Sequence, residues 1–392
     1  MTPAVLGADA SLADVPSLAV EGHAAPRFAR VRDAFASNFA RDGEFAELGA
    51  ALTVYVAGAR VVHLYGGYRD ARRSQRWTES TLVNVWSASK AVMALALAQL
   101  VDAGRLQYEQ PVASVWPEFA AAGKAELRVI DVLSHRAGLN GFAAPTSPTD
   151  LFDWERVTAR LAAQRPFWTP GTLTSYHAMT FGWLCGEILR RVTGQRVRDY
   201  VHDHLAEPLG ADLWLGCPQH RLADVAEVVA PEPDRHPVAL NDIASRAVVN
   251  PEPDAALANT EAWRRAEIPS VNVHCTSDGL ARMYAALASG GAFGDARLVS
   301  SAAVDALRTV RSPGPDQMLG TRRWGAGVAL NSDGAFGPDP GAFGHAGWGG
   351  SFGCASVEAN VAIAYVVNRM GSRLNGDPRA RSVCGAVFDC MA

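Results

Sequence analysis

The longest hydrophobic stretch of the chain follows a short polar motif near position 90. The residues from Ala91 to Val101 are almost all apolar, and Gly104 ends the run. Apolar residues around the whole circumference, rather than on one face, are typical of a helix buried in a protein core. The sequence therefore predicts a central buried helix whose first turn is Ser87-Ala88-Ser89-Lys90.

Periodicity predicts further elements on both sides of this helix. Apolar residues at helical spacing predict helices over 27–39, 131–135, 179–192, 279–288 and 379–388. Alternating or short apolar runs predict strands over 51–56, 60–65, 324–330, 353–357 and 361–367. The first two strands form a hairpin, and the segment 231–253, rich in Pro, Asp and Arg, is predicted to be a long ordered loop.

This order of elements predicts an α/β plus α architecture. Strands near both chain ends would form one antiparallel sheet flanked by helices, with an all-helical lobe inserted between them. We expect a discontinuous α/β domain over 1–85 and 291–392, and a mainly helical domain over 86–290 that carries the central helix. The functional site is expected in the cleft between the two domains.

Charge and cysteine content narrow the possible partners and location. The net charge is −4 over 392 residues, which provides no basic field for nucleic acid or a membrane surface. The first 25 residues contain neither a basic start nor a continuous apolar region, and six cysteines lie far apart without CxxC pairs. We therefore expect a cytoplasmic protein with reduced, mostly buried thiols, without a disulfide framework or a zinc site. The oligomeric state is left open.

Ser87 and Lys90 are the first candidates for chemistry. Residues three apart share a helix face, so the hydroxyl and the amine can touch. The positive end of a helix and burial both disfavour an ammonium ion, which lowers the pKa of Lys90 towards that of a usable base. Of 36 basic residues only Lys90 and Lys124 are lysines, and arginine could not serve as such a base because it stays charged. The alternative interpretation is a solvated helix start.

A second candidate is Tyr176, which lies just before the predicted helix 179–192. A phenol next to Lys90 could share its proton and act as a base towards Ser87. The alternative interpretation is a tyrosine in the core or at its rim.

A third candidate is the glycine-rich segment 344–350, Gly-His-Ala-Gly-Trp-Gly-Gly. Glycines at a strand edge let backbone N–H groups approach a ligand closely. A tight hairpin would also explain the glycines, although it would not explain the other small and polar residues.

Together these three elements resemble the serine β-lactamase and penicillin-binding-protein superfamily, most closely its class C-like family VIII carboxylesterases. The segments 133–139, 192–194, 208–210 and 368–370 also look like this family, and the resemblance spans about residues 45 to 370. The resemblance implies a β-lactamase-like fold without a metal or organic cofactor.

The resemblance also implies roles for individual residues. Ser87 matches the nucleophile, Lys90 the group that takes its proton, and Tyr176 the tyrosine of the Tyr-x-Asn element. The segment His345-Ala346-Gly347 matches Lys-Thr-Gly, so His345 and Gly347 would contact substrate. The backbone N–H groups of Ser87 and Trp348 would form the oxyanion hole.

Two departures from the family pattern bear on the substrate. Ala178 replaces an asparagine that would hold an acylamino side chain, and His345 replaces a lysine that would recognise a β-lactam carboxylate. Both favour a small-molecule ester, and the flanking Trp86, Trp348 and Phe352 favour short to medium apolar acyl or aryl groups. The alternatives are β-lactam or amide hydrolysis or acyl transfer at the same site, and a non-catalytic lactamase-like binding protein.

Two further motifs compete with this interpretation. Ser351 lies in a Gly-x-Ser-x-Gly sequence, the nucleophile elbow of α/β-hydrolases. That elbow requires a strand, a sharp turn and a helix, with a histidine later in the chain, and no histidine follows His345. His202-Asp203-His204 has the residue types of a metal site, but alternate residues of a helix point to different faces, which favours a surface pair.

Overall fold

The computed structural model describes residues 20–232, 239–312, 314–374 and 376–392. The predicted loop 231–253 therefore lies partly outside the described residues. Those ranges contain thirteen strands: β1 Glu21–Ala24, β2 Gly49–Val56, β3 Ala59–Gly67, β4 Val83–Asn84, β5 Leu213–Leu215, β6 Val273–Cys275, β7 Ala292–Phe293, β8 Ala296–Arg297, β9 Arg323–Trp324, β10 Ala329–Leu330, β11 Phe343–Ala346, β12 Phe352–Ser356 and β13 Val361–Val367.

The same ranges contain twelve α-helices: α1 Ala29–Phe39, α2 Ser89–Asp102, α3 Val129–Leu133, α4 Trp154–Ala163, α5 Thr180–Thr193, α6 Val197–Val201, α7 Glu207–Leu209, α8 Asp242–Ser245, α9 Glu261–Arg265, α10 Ser277–Ala288, α11 Ser301–Arg308 and α12 Pro378–Met391. Short 3-10 turns connect several of them, and a π-helix, His202–Ala206, joins α6 to α7.

One eight-stranded antiparallel sheet confirms that strands from both chain ends pair with each other. Its order is β1-β3-β2-β13-β12-β11-β10-β9, so the N-terminal hairpin lies directly beside β13 near the C-terminus. The hairpin turn at Ala57 (φ 49°) and Gly58 (φ 77°) uses two positive φ angles, which match the right-handed twist of the two strands it connects.

The middle of the chain is mainly helical but also contains a small sheet that we did not predict. This sheet has the order β4-β6-β5, and its strands of two or three residues are too short to produce a readable alternation. Helix α10 lies within the predicted helical domain 86–290, yet it packs against β2, β12 and β13 of the large sheet. The domain boundaries at 85/86 and 290/291 stay a prediction.

The predicted strand 324–330 is instead two short strands, β9 and β10, joined by a glycine turn. The Gly325 N–H donates to the Val328 carbonyl at 2.9 Å, and Gly327 adopts φ 87°. A Cβ on Gly327 would lie 2.7 Å from the Cβ of Ala94 in α2. The turn therefore lets the sheet edge approach the central helix closely.

The central helix is buried as predicted. A 3-10 turn, Trp86–Ala88, leads into α2, and every side chain from Ser89 to Ala98 is buried. Ser87 alone is partly exposed between buried neighbours in this first turn. The fold thus presents one hydroxyl at the surface of the core and places the amine of Lys90 beneath it.

All six cysteines are buried and free, as the sequence predicted. None of the helices in the described part of the chain is long and apolar enough to cross a membrane.

Candidate active site

Ser87 and Lys90 are in direct contact at the start of α2. The Lys90 Nζ lies 3.0 Å from the Ser87 Oγ, 2.7 Å from the Ala178 carbonyl oxygen and 3.1 Å from the Ser270 carbonyl oxygen, all at hydrogen-bond distance. The predicted pair is therefore brought together, and two carbonyls from other parts of the chain hold its amine. The Ser270 contact gave no signal in the sequence.

Burial lowers the pKa of Lys90 well below its ordinary value of 10.5. The side chain is fully buried, and among the described residues no carboxylate contributes to the shift, which the Cys185 thiol opposes. An ammonium ion without a counter-ion in such a place is costly, so the neutral amine is favoured.

The backbone just before the hydroxyl is in an unusual conformation. Trp86 has φ 49°, a left-handed value that bulky residues rarely adopt. Its ring is packed between Trp263, at a centroid distance of 5.6 Å, and Trp348, at 5.2 Å. These contacts hold the turn that presents Ser87.

Tyr176 completes a three-group contact with Ser87 and Lys90. The Lys90 Nζ lies 4.8 Å from the centre of the Tyr176 ring, and Ser87 and Tyr176 line the same cavity. Burial raises the pKa of Tyr176, and the nearby Ser87 side chain offsets part of this increase. The phenol therefore holds its proton at neutral pH.

Two residues that sequence reasoning missed hold Tyr176 in place. Trp324 stacks on the Tyr176 ring with a centroid distance of 5.4 Å and an angle of 8°. The buried carboxylate of Asp316 accepts from the Tyr176 backbone N–H at 3.2 Å and from the Trp324 indole N–H at 2.9 Å. No local pattern marked either residue, because both contacts join distant parts of the chain.

Two buried histidines lie beside these groups. His135, which belongs to the family-like segment 133–139, lies 4.9 Å from the Tyr176 ring, and its Nδ1 accepts from the His177 backbone N–H at 3.1 Å. Burial lowers the pKa of His177 to about 3 and that of His135 well below 6.5. Both imidazoles are therefore neutral.

The segment His345-Ala346-Gly347 ends β11 directly beside the Ser87 turn. A Cβ on Gly347 would lie 2.2 Å from the Val85 carbonyl oxygen, so only glycine permits this approach. His345 is buried, its Nδ1 lies 2.8 Å from the Ala346 carbonyl oxygen, and burial lowers its pKa well below 6.5. Its Nε2 has no hydrogen-bond partner among the described residues.

Trp348 occupies a tight turn that follows this segment. The Gly350 N–H donates to the Gly347 carbonyl at 3.3 Å, and Gly349 adopts φ 92°, as the third residue of a type II turn requires. Within the described ranges, the Trp348 N–H donates to no other group. The Ser87 N–H lies in the first turn of a helix, where N–H groups lack a partner inside the helix.

Most of the predicted site residues line one cavity, together with several residues that the sequence did not indicate. One of its lining side chains, Leu374, is exposed to solvent. The lining residues are Ser87, Tyr176, Leu319, Arg322, Trp324, Ala329, His345, Ala346, Trp348 and Leu374. Apart from the guanidinium of Arg322, which pairs with Asp333 at 2.7 Å, the newly found lining is apolar.

Other candidate residues lie outside this cavity. Ser351 is buried, its Oγ accepts from the Val367 backbone N–H at 3.1 Å, and a strand rather than a helix follows it. Phe352 lines a neighbouring cavity that also contains Ala346 and Leu374. Trp86 supports Trp348 from behind and is not among the residues that line the cavity.

The two surface histidines have separate neighbours. His202 stacks on Trp214 at 5.1 Å, and His204 contacts Tyr200 at 4.3 Å. His202, Asp203 and Glu207 could bring ligand atoms within 4.8 Å of one another in the π-helix region. This arrangement of solvent-facing groups is common without an ion.

Known proteins with related sequences match nearly the whole chain. The family described as Beta-lactamase matches residues 35–384. The esterase/beta-lactamase LipL of Mycobacterium tuberculosis (strain ATCC 25618 / H37Rv) is 38% identical over 383 residues, covering 91% of this chain and 84% of the relative.

Two solved structures share both fold and sequence. A family VIII carboxylesterase is 39% identical with a TM-score of 0.89, and the match covers 95% of this chain and 100% of the other. A penicillin-binding protein homolog from Caulobacter crescentus is 40% identical with a TM-score of 0.89 and the same coverage.

Proposed function

The chain belongs to the Beta-lactamase family as a hydrolase of the β-lactamase and esterase type, and we propose that it hydrolyses carboxylic esters through an acyl-enzyme on Ser87. One observation carries the proposal: a fully buried lysine amine, without a carboxylate partner in the described ranges, lies 3.0 Å from a partly exposed serine hydroxyl. A nucleophile beside a neutral base is the arrangement that acyl transfer requires.

The carbonyl contacts of Lys90 support its role as the base. A neutral amine has two N–H bonds and one lone pair. The carbonyl oxygens of Ala178 and Ser270 accept hydrogen bonds from these two N–H groups. The lone pair is therefore left to accept the proton of Ser87. As Ser87 Oγ bonds to the ester carbonyl carbon, that proton passes to Lys90.

Tyr176 acts on the leaving group in this mechanism. Its phenol is protonated at rest and lies in the same cavity as Ser87, so it can give its proton to the departing alcohol and recover one from Lys90. The ester C–O bond breaks, and the alcohol leaves with that proton. Water then attacks the acyl-enzyme, the acid is released, and Ser87 regains its proton.

The N–H groups of Ser87 and Trp348 are the proposed oxyanion hole. Both lie beside the same cavity, and the Trp348 N–H has no other acceptor among the residues described. Preorganised donors of this kind stabilise the negative charge that develops only in the transition state.

The surroundings of the site favour esters over β-lactams. Ala178 offers a methyl group where the family's lactamases have an amide, and its carbonyl already accepts from Lys90. His345 is neutral because burial lowers its pKa well below 6.5, whereas the lysine it replaces would offer a positive charge to a lactam carboxylate. The apolar lining, including Leu319 and Trp324, suits short to medium acyl or aryl groups.

The test compares the two candidate serines. Ser87→Ala should abolish hydrolysis of p-nitrophenyl butyrate and labelling by a fluorophosphonate, while the matched Ser351→Ala variant keeps both. Intact-protein mass spectrometry after incubation with esters should show one acyl adduct. Full activity in Ser87→Ala would refute the proposal. Faster turnover of nitrocefin than of the ester would instead assign the site to β-lactams.

A further inference from the structure

The turn that carries Trp348 is held by a side chain from the last helix of the chain. The Gly349 carbonyl accepts hydrogen bonds from the Gly371 N–H at 3.0 Å and from the Arg379 Nη2 at 2.7 Å. Arg379 lies in the first turn of α12 and is fully buried. A buried guanidinium therefore contacts the backbone one residue beyond the proposed oxyanion donor.

Every N–H of Arg379 has an acceptor, which fixes its position. Its Nη1 donates to Glu47 Oε1 at 3.0 Å and to the Arg369 carbonyl at 3.0 Å. Its Nη2 donates to Gly349 and to Asp377 Oδ2 at 2.7 Å, and its Nε donates to Asp377 Oδ1 at 3.1 Å. A planar guanidinium with five satisfied donors has little freedom to rotate.

The anchor extends to the sheet and to α1. The second carboxylate oxygen of Glu47 accepts from the Tyr365 hydroxyl on β13. The Asn38 side chain on α1 donates to both the Tyr365 hydroxyl and the Arg379 carbonyl, each at 3.2 Å. The buried cluster of Glu47, Asp377 and Arg379 thus connects the turn to the rigid framework of the α/β part of the fold.

The residues of the turn place little restriction of their own on its backbone conformation. Three of its four residues are glycines, and Gly349 and Gly350 adopt φ 92° and 119°. Glycine gives such a turn more conformational freedom than any other residue, so ordering it carries an entropic cost. An oxyanion donor contributes most when its direction is fixed before the reaction.

We propose that Arg379 is a positioning residue for the oxyanion hole: by holding the Gly349 carbonyl, it fixes the direction of the Trp348 N–H. The inference rests on the proposed function, since it assumes an acyl-transfer reaction at Ser87. Glu47 and Asp377 act through Arg379, and none of the three touches the substrate.

The experiment measures kcat and KM for p-nitrophenyl butyrate in Arg379→Lys. Lysine keeps the charge but cannot reproduce the fork of donors. A misdirected donor acts on the transition state and not on the bound ester, so we expect kcat to fall about 10- to 100-fold with KM nearly unchanged. Affinity for a phenylboronic acid should fall in parallel, because its adduct with Ser87 places an oxygen in the same hole.

Tyr365→Phe is the matched control. It removes a hydrogen bond from the same cluster without touching Gly349, so it should lower Tm while kcat stays near the wild-type value. If Arg379→Lys does not fold, Glu47→Gln replaces it, with a smaller fall in kcat expected at constant KM.

Either of two results would overturn the inference. One is a wild-type kcat together with a wild-type boronate affinity in folded Arg379→Lys. If Glu47→Gln has replaced that variant, the same result in Glu47→Gln counts. The other is a loss of kcat in Tyr365→Phe as large as in the test variant. Ser87→Ala, assayed in parallel, separates this failure from that of the proposed function: an active Ser87→Ala enzyme contradicts the latter, and a wild-type kcat in the Arg379 variant does not.

Discussion

The two lysines of the chain have nearly the same surroundings in two different parts of the fold. Lys90 at the start of α2 and Lys124, just after the 3-10 turn Pro117–Gly123, are both fully buried. Lys124 donates to the carbonyls of Ala121 at 2.7 Å and Gln164 at 2.6 Å, much as Lys90 contacts two carbonyls. Burial lowers the pKa of Lys124 to about 8 and that of Lys90 well below 10.5.

The difference lies in the third neighbour of each amine. Lys90 contacts the Ser87 hydroxyl, and the ring beside it is the phenol of Tyr176. The ring beside Lys124 belongs to Phe119, at 5.2 Å, which offers no exchangeable proton. A lowered lysine pKa is therefore not enough to identify a site, since burial alone produces it.

The two lysines also suggest a different reason for the scarcity of lysine in this chain. Sequence reasoning connected the retained lysine with catalysis at Lys90, but Lys124 is also a buried lysine, and its hydrogen bonds go to two backbone carbonyls. Buried arginines of this chain pair with carboxylates, as Arg379 does with Glu47 and Asp377. Neither lysine has a carboxylate among the causes of its pKa shift. Among the described residues, lysine occurs where a buried amine has no carboxylate partner, because lysine can become neutral and arginine cannot.

The largest expected effect distinguishes the two lysines directly. Lys90→Met should lower kcat/KM for p-nitrophenyl butyrate about 10³-fold or more, since it removes the base. Lys124→Met should leave kcat/KM close to the wild-type value. Steady-state kinetics on both folded variants, checked by circular dichroism, measures this. Comparable losses in both variants would show that a buried amine matters here only for stability.

The next effect concerns the ring beside the amine. Tyr176→Phe makes the surroundings of Lys90 more like those of Lys124 by removing one hydroxyl. We expect kcat to fall about 10²-fold, because the leaving alcohol loses its proton donor. Esters with a better leaving group need that proton less, so p-nitrophenyl esters should lose less activity than alkyl esters. An equal loss for both ester types would contradict this role of Tyr176.

A smaller effect is expected in the pH dependence of activity. Because burial lowers the pKa of Lys90 well below 10.5, the base loses its proton at a much lower pH than an ordinary lysine does. The rising limb of kcat/KM should therefore lie far below the range in which an ordinary lysine titrates. Lys124→Met should leave this limb unchanged. A limb that rises only above about pH 9, given the ordinary lysine pKa near 10.4, would refute a neutral Lys90.

The sequence predicted the parts of the site that local pattern encodes. The buried helix, the Ser-x-x-Lys spacing, Tyr176 and the glycine-rich segment 344–350 were visible because each depends on neighbours in sequence. The structure brings Ser87, Tyr176, His345 and Trp348 to one cavity.

The supporting contacts could not be predicted in this way. Asp316 holds Tyr176 across 140 residues, and Arg379 reaches Glu47 across 332. One sequence contains no periodicity that connects such distant positions. The sequence predicts one strand where the structure has β9 and β10, because a strand of only two residues is too short to display an alternation of apolar and polar positions.

The smallest effect tests whether burial lowers the pKa of Lys124, as it does that of Lys90. Its pKa is about 8 in the folded protein and about 10.4 when unfolded. Between these values the unfolded chain binds more protons, so the free energy of unfolding rises with pH. The wild type should gain stability relative to Lys124→Met across this window, by at most about 1.4 kcal/mol per pH unit. Urea denaturation of both proteins at several pH values between 7.5 and 10 measures the difference. A constant difference over that range would mean that Lys124 keeps its proton when buried, and that carbonyl contacts without a carboxylate are enough to stabilise an ammonium ion in this fold.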